Sequence, residues 1–251
     1  CYYCKRGMYW LCEPHDVYGF KNYLNGGMAE YVLLPENAIN YLVPEKLSKE
    51  EAVLIEPMAC SFHGVDQAQV QPDDTVVLAG AGTLGLGMVN ALQLKNPRKI
   101  IVLDLIDSRL ELAKEFGADV IINPARENVL EMVLQETDGI GCDVYIEATG
   151  HPSAVQQGLD LLRKGGRFVE FSVMSGPSTV DWSIIGDMKE ITIVGSQLSP
   201  GCYEPVIRNM EKGLIKTNGI ITHKFRLDNW REAYSTAESK KAIKVIFSLS
   251  D

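Results

Sequence analysis

Residues 74–94 read DTVVLAGAGTLGLGMVNALQL. A β-branched apolar run closes on Gly80, two more glycines follow at Gly82 and Gly85, and apolar residues then recur at helical spacing. Strand, tight turn and helix in this order, with G-x-G-x-x-G at the junction, admit few folds. The first glycine allows the sharp turn, the second lets a pyrophosphate approach the backbone, and the third lets the helix lie close to the strand. A helix opening at Thr83 and Leu84 would turn its free N–H groups and positive dipole end toward phosphate.

The alternation continues. KIIVLD, DVIIN, CDVYIEATG, RFVEFSV and ITIVGS read as short buried strands. Between them SRLELAKEFGA, ENVLEMVLQETDG and PSAVQQGLDLLRKGG read as helices, the first stopped by Gly117, the last opened by Pro152 and ended by its double glycine. Strands alternating with such helices predict parallel βαβ units, hence an α/β fold with a doubly wound Rossmann sheet. Asp104 ends the second strand, about 20 residues beyond the glycine loop, where a carboxylate accepts both ribose hydroxyls of an adenosine and repels a 2′-phosphate. NAD is therefore expected over NADP. Arg109 has two readings, a guanidinium over the adenine face or a helix-surface cation paired with Glu111 or Glu115. Thr149 and Gly150 fall at a strand's carboxyl end, where open α/β sheets place ligands.

The flanks differ. Residues 17–45 alternate apolar positions around a double glycine and two prolines, predicting β-hairpins. Residues 201–251 predict helix, strand, helix, strand. With 46% hydrophobic and 23% charged residues the composition is that of a globular protein. The net charge of −9, with no basic run longer than the pair at 240–241, argues against nucleic acid as a partner. No apolar run is long enough to span a bilayer and no signal segment is evident, so a cytoplasmic protein without membrane contact is expected. Of six cysteines, Cys1, Cys4 and Cys12 cluster as C-x2-C-x7-C, a pattern of metal or redox chemistry more than of disulfides.

Taken together, the cysteine cluster, GGMAEYVLLP at 26–35, EAVLIEPMACSFHGV at 51–65, the glycine loop with Asp104, and the C-terminal stretch from GLIKTNG onward resemble the zinc-dependent medium-chain alcohol dehydrogenases, in their sorbitol and polyol branch. The resemblance covers essentially the whole chain. It implies a mainly β, GroES-like catalytic domain drawn from residues 1–57 and 200–251 around an NAD-binding domain at 58–199. The family's structural zinc lobe has four cysteines. Cys1, Cys4 and Cys12 match the last three, so the resemblance implies that the first lies upstream, together with the catalytic cysteine, the His-Glu pair and roughly 100 further residues, a domain-sized segment. His15 could stand in as the fourth ligand, or be an ordinary loop histidine.

Glu56 falls where polyol and threonine dehydrogenases carry a glutamate at the catalytic zinc; without the resemblance it is an exposed acid in a turn before Pro57. His63 matches a histidine of the same branches, beside the nicotinamide or capping the first helix of the cofactor domain, and Cys60 reads as small-residue packing. Backbone groups around Phe171–Val173 and at Ser196 are expected to hold the carboxamide. The activity implied is oxidation of a secondary hydroxyl of a sugar alcohol, with NAD and zinc as cofactors, in a homodimer or homotetramer. The rivals are an L-threonine 3-dehydrogenase-like enzyme and a non-catalytic NAD-binding protein.

Overall fold

The computed structural model describes residues 1–15, 17–20, 25–36 and 38–249. After short 3-10 turns at Cys4–Arg6 and Tyr9–Leu11, the chain forms helix α1 (Lys49–Ala52) and helix α2 (Ile55–Gln67). The alternating section is β1 (Thr75–Ala79), α3 (Thr83–Lys95), β2 (Lys99–Leu103), α4 (Asp107–Phe116), β3 (Val120–Ile122), α5 (Val129–Glu136), β4 (Cys142–Glu147), α6 (Pro152–Leu161), β5 (Leu162–Glu170) and β6 (Thr192–Gly195). Helix α7 (Tyr203–Glu211), β7 (Ile221–Arg226), α8 (Trp230–Glu238) and β8 (Lys244–Ser248) follow.

Strands β1 to β6 make one six-stranded sheet in the order β3-β2-β1-β4-β5-β6, every pairing parallel. This is the doubly wound α/β arrangement expected, with its topological switch between β1 and β4. The central strands β1, β2 and β4 are almost wholly buried and mostly apolar because helices cover both faces. Alternate residues of β1 divide accordingly: Val76 and Leu78 join a core with α2, α3, α4 and α7, while Val77 and Ala79 join Tyr145, Leu159 and Phe168 on the other face. Strands β7 and β8 form a separate parallel pair joined through α8.

Three side chains, Asn90, Thr83 and Arg109, pin this return segment to the sheet's helices with five hydrogen bonds. Asn90 on α3 exchanges side-chain hydrogen bonds with the backbone of Lys216 (3.0 and 2.8 Å). The Thr83 hydroxyl donates to the Ile243 carbonyl (2.9 Å). The Arg109 guanidinium donates to the Lys240 and Ala242 carbonyls (3.0 and 2.9 Å).

Two expectations are corrected. No strand forms among the described residues of 17–45; residues 21–24 and 37 of that stretch lie outside them. Several of its apolar side chains stand in solvent, Tyr31 at 90% and Leu42 at 91% exposure, while Tyr41 stacks on Tyr203. Alternation selects a face but supplies no partner, and no described segment offers these residues a ladder. The helix expected over 152–166 stops at Leu161, and residues 162–166 belong to β5. The Lys189 ammonium, from nearly thirty residues away, donates to the carbonyls of Leu159, Asp160 and Leu162 at 2.7, 2.8 and 2.7 Å. A cation at that end satisfies carbonyls the helix leaves unpaired and opposes the dipole.

Hydrogen bonds to a charged group contribute about 1.5–3 kcal/mol. Lys189→Met is therefore expected to lower unfolding stability by about 2 kcal/mol in urea titration, with little change in the m-value; an unchanged midpoint would remove Lys189 from this role.

Candidate functional site

The carboxyl ends of β1, β2, β4, β5 and β6 gather nearly every residue expected to meet a dinucleotide. At the end of β1, Gly80 adopts φ +105°, and a Cβ there would lie 2.7 Å from the Ala148 carbonyl oxygen. A Cβ on Gly85 would lie 1.9 Å from the carbonyl oxygen of Gly80, so α3 can rest on the turn only without a side chain. At Gly82, by contrast, an added Cβ meets nothing within 4 Å. Gly82 is also the N-cap of α3 and gives it no side-chain cap. Two glycines close the turn and one leaves an open cradle at a helix N-terminus, a fit for a pyrophosphate.

Asp104 sits beside this cradle. Its Oδ2 accepts from the Ala81 N–H (2.8 Å) and its Oδ1 from the Ile106 N–H (2.9 Å). Each carboxylate oxygen has a second lone pair, so capacity remains for ribose hydroxyls while the group's orientation is fixed. Thr83 and Arg109 are otherwise engaged: the hydroxyl and the guanidinium hold the carbonyls of Ile243, Lys240 and Ala242. Among the described residues Arg109 is not ion-paired with Glu111 or Glu115, and its in-plane hydrogen bonds leave the guanidinium face open; the backbone N–H of Thr83 is its group left for phosphate. The Leu84 carbonyl accepts from the Ser61 hydroxyl (2.8 Å), which locks α3 to α2.

Thr149 and Gly150 reach the site in a different manner from that expected. The Thr149 N–H (2.8 Å) and hydroxyl, with the Gly150 N–H (3.2 Å), all donate to the Glu147 carboxylate. Glu147 is fully buried and was missed in the sequence, although an acid inside the apolar run CDVYIEATG was a usable signal. Its β5 register partner is Glu170, also a carboxylate. The Oε1 of Glu170 and the Oγ of Ser196 are buried without a hydrogen-bond partner among the described residues. Burial first, and the Glu147 charge second, raise the Glu170 carboxyl above its ordinary range. A Cβ on Gly150 would meet the Val173 carbonyl at 2.7 Å, and the Ser196 N–H donates to the Glu170 carbonyl (3.0 Å). Gly150 thus abuts Val173, which is 96% exposed, and Ser196 is tied to the end of β5.

Helix α2 carries Glu56 in its first turn and His63 toward its other end. Pro57 occupies its first turn, which suits a fixed φ and a missing N–H, so Glu56 belongs to a helix and not to a loop. A Cβ on Gly64 would meet Phe171 at 2.9 Å and Met88 at 3.0 Å, so α2 packs against the end of β5 and α3. His63 is buried within α2 and caps nothing; burial lowers its pKa, partly opposed by Asp66. Glu56 is exposed, and its Oε1 accepts from the Cys60 thiol at 3.1 Å. Burial, then the Glu56 carboxylate, push that thiol up to about 12, so it remains a donor.

The sulfurs of Cys1, Cys4 and Cys12 lie within 4.8 Å of one another, Cys1 and Cys4 at 3.6 Å. Three thiols converging at this range suit a tetrahedral thiolate zinc site. His15 is outside the group and packs edge-on against Phe20, and Glu56 is also outside it.

This geometry defines a dinucleotide-binding α/β protein with a converging group of three thiols. The family model described as zinc-binding dehydrogenase matches residues 83–212. The chain belongs to the zinc-dependent medium-chain alcohol dehydrogenases and is an enzyme of that class. It is 44% identical over 246 residues to the erythritol/L-threitol dehydrogenase of Mycolicibacterium smegmatis, covering 98% of this chain and 68% of that one. It is 34% identical to the L-threonine 3-dehydrogenase of Pyrococcus horikoshii, covering 99% and 71%. An Escherichia coli CFT073 structure described as a short chain alcohol dehydrogenase complexed with NADH superposes with a TM-score of 0.88 at 35% identity, covering 98% of this chain and 72% of that one.

Gly82→Ala and Gly85→Ala are expected to separate binding from folding. Gly85→Ala overpacks a rigid backbone contact and should lower stability by about 3 kcal/mol. Gly82→Ala should cost less than about 1 kcal/mol while weakening dinucleotide binding, read by nucleotide fluorescence titration and thermal melting. Glu170 gives a prediction in pH. Its folded pKa lies above the unfolded one, so stability is full below the unfolded carboxylate range and is lost as pH rises to the folded value. Glu170→Gln should match the parent in acid and exceed it in urea midpoint at pH 7; equal midpoints at both pH values would contradict this.

Proposed function

We propose that this enzyme oxidises a secondary hydroxyl of a sugar alcohol to the ketone, with NAD as acceptor. The observation that carries the cofactor half is the open cradle at Gly82 beside an oriented Asp104. The substrate half rests on Glu56 at the head of α2 and on the 44% identity to an erythritol/L-threitol dehydrogenase.

In this reading the backbone N–H groups from Gly82 to Gly85 hold the pyrophosphate and Asp104 accepts the adenosine ribose hydroxyls. The backbone at Phe171, Val173 and Ser196, with Gly150, holds the carboxamide, and buried neutral His63 packs behind it. Cys1, Cys4 and Cys12 supply three thiolates to a structural zinc, and Glu56 supplies a carboxylate to a catalytic one. When bound, zinc supplies a Lewis acid and the nicotinamide an acceptor for the substrate's hydride. Glu56 orients the first of these, and the loops at the ends of β4 to β6 orient the second.

A cytoplasmic setting is part of this reading; among the described residues no helix is long and apolar enough to cross a membrane. Edge strand β6, with Ile193 44% exposed, supports association as a homodimer or homotetramer. The likeness to an L-threonine 3-dehydrogenase keeps that substrate as the second reading.

The test is NADH formation from erythritol, xylitol, sorbitol and L-threonine by the full-length protein. Activity with polyols and not with threonine is expected, falling at least about 100-fold in kcat/KM on Glu56→Ala. Turnover of threonine alone would select the second reading, and NAD binding without any turnover would overturn both.

A further inference from the structure

Helix α2 leaves Glu56 little freedom except in its own side chain. Met58 and Ala59 are fully buried, the Ser61 hydroxyl is held by the Pro57 and Leu84 carbonyls (2.8 Å each), and a Cβ on Gly87 of α3 would meet the Ser61 Oγ at 2.4 Å. The backbone under Glu56 is therefore locked to α3. The carboxylate itself is exposed, and its two oxygens are chemically equivalent. A long solvent-facing side chain loses rotamer freedom when it is fixed, and a carboxylate offered to a cation gains from having that loss already met.

Cys60 meets it. It lies four residues on, over the same helical face, half-buried near Ser199 and Cys202. Its thiol donates to Oε1 of Glu56 at 3.1 Å, which makes the two oxygens inequivalent. We propose that Cys60 is a positioning residue for Glu56, its thiol holding Oε1 so that Oε2 is the oxygen presented to a divalent cation. This rests on the reading of Glu56 as a metal-binding carboxylate. Cys60 adds no ligand of its own; it selects a conformer. Valine has nearly the shape of cysteine without a donor, and serine keeps a donor, so the two substitutions separate packing from hydrogen bonding.

Zinc affinity is measured by chelator competition on the full-length protein and on Glu56→Ala, Cys60→Val and Cys60→Ser, with NAD affinity as the check that each variant is folded. Glu56→Ala should weaken one zinc site. Cys60→Val should weaken that same site roughly 10–100-fold, and Cys60→Ser should recover it to within a few-fold. In kinetics Cys60→Val should lower kcat more than it raises the KM for NAD. Independently of zinc, the infrared S–H stretching band that Cys60→Val removes from the metal-free protein should lie below that of a free thiol, and should rise in Glu56→Ala. That band shift tests the hydrogen bond even where a Cys60 variant folds poorly.

Unchanged zinc affinity in Cys60→Val beside weakened binding in Glu56→Ala would overturn the proposal and leave the reading of Glu56 standing. Equal losses in Cys60→Val and Cys60→Ser, with loss of a thiolate-to-metal charge-transfer band after cobalt substitution, would make Cys60 a ligand and overturn it too. Unaltered zinc in Glu56→Ala would overturn the reading of Glu56 itself, and the role of Cys60 with it.

Discussion

The approach of Gly85 to the Gly80 carbonyl governs the rest of this structure. At 1.9 Å from that oxygen there is no room for any side-chain carbon, so α3 can settle directly onto the end of β1. That closeness brings the helix N-terminus to the switch between β1 and β4, where the sheet's carboxyl edge opens. It also sets where Thr83 and Asn90 stand, and through them where the return segment containing β7 and β8 is attached. A shift of α3 by one carbon's width would disturb the cradle, Asp104's contact with Ala81 and the seat of α2 together.

Much of the site is backbone, and its side chains are fixed by neighbours within the protein. Thr149 and Gly150 are drawn inward by the buried Glu147 carboxylate, and Gly150 then abuts Val173. Asp104 is oriented by two N–H groups before any ribose arrives. Glu56 is oriented by a thiol. Each arrangement settles geometry in advance, so less ordering remains for ligand binding, which is how preorganised sites gain affinity.

The sheet was legible because its central strands β1, β2 and β4 are buried on both faces, and such strands read as apolar runs between helices. The glycine triad was legible because its first and third positions admit no side chain in the fold, while its second leaves room for a ligand. What could not be read were contacts made from a distance. Nothing in PSAVQQGLDLLRKGG announces that Lys189 will end the helix at Leu161. Thr83 and Arg109 carry groups that suit phosphate or adenine, yet hold carbonyls at Ile243 and Ala242, more than 100 residues on. The alternation in 17–45 specifies a face, and a strand also needs a partner, which no described residue provides. Glu147 was overlooked because an acid at a strand end looks solvated until Thr149 and Gly150 are seen closing over it.

The central claim is that the carboxyl edge at Gly82 and Asp104 is a site for NAD. It is tested most directly by titrating the protein with NADH and NADPH in parallel and following nucleotide fluorescence. The account predicts saturable 1:1 binding of NADH, with NADPH at least about 100-fold weaker because its 2′-phosphate would face the Asp104 carboxylate. Equal affinities, or tighter binding of NADPH, would contradict it.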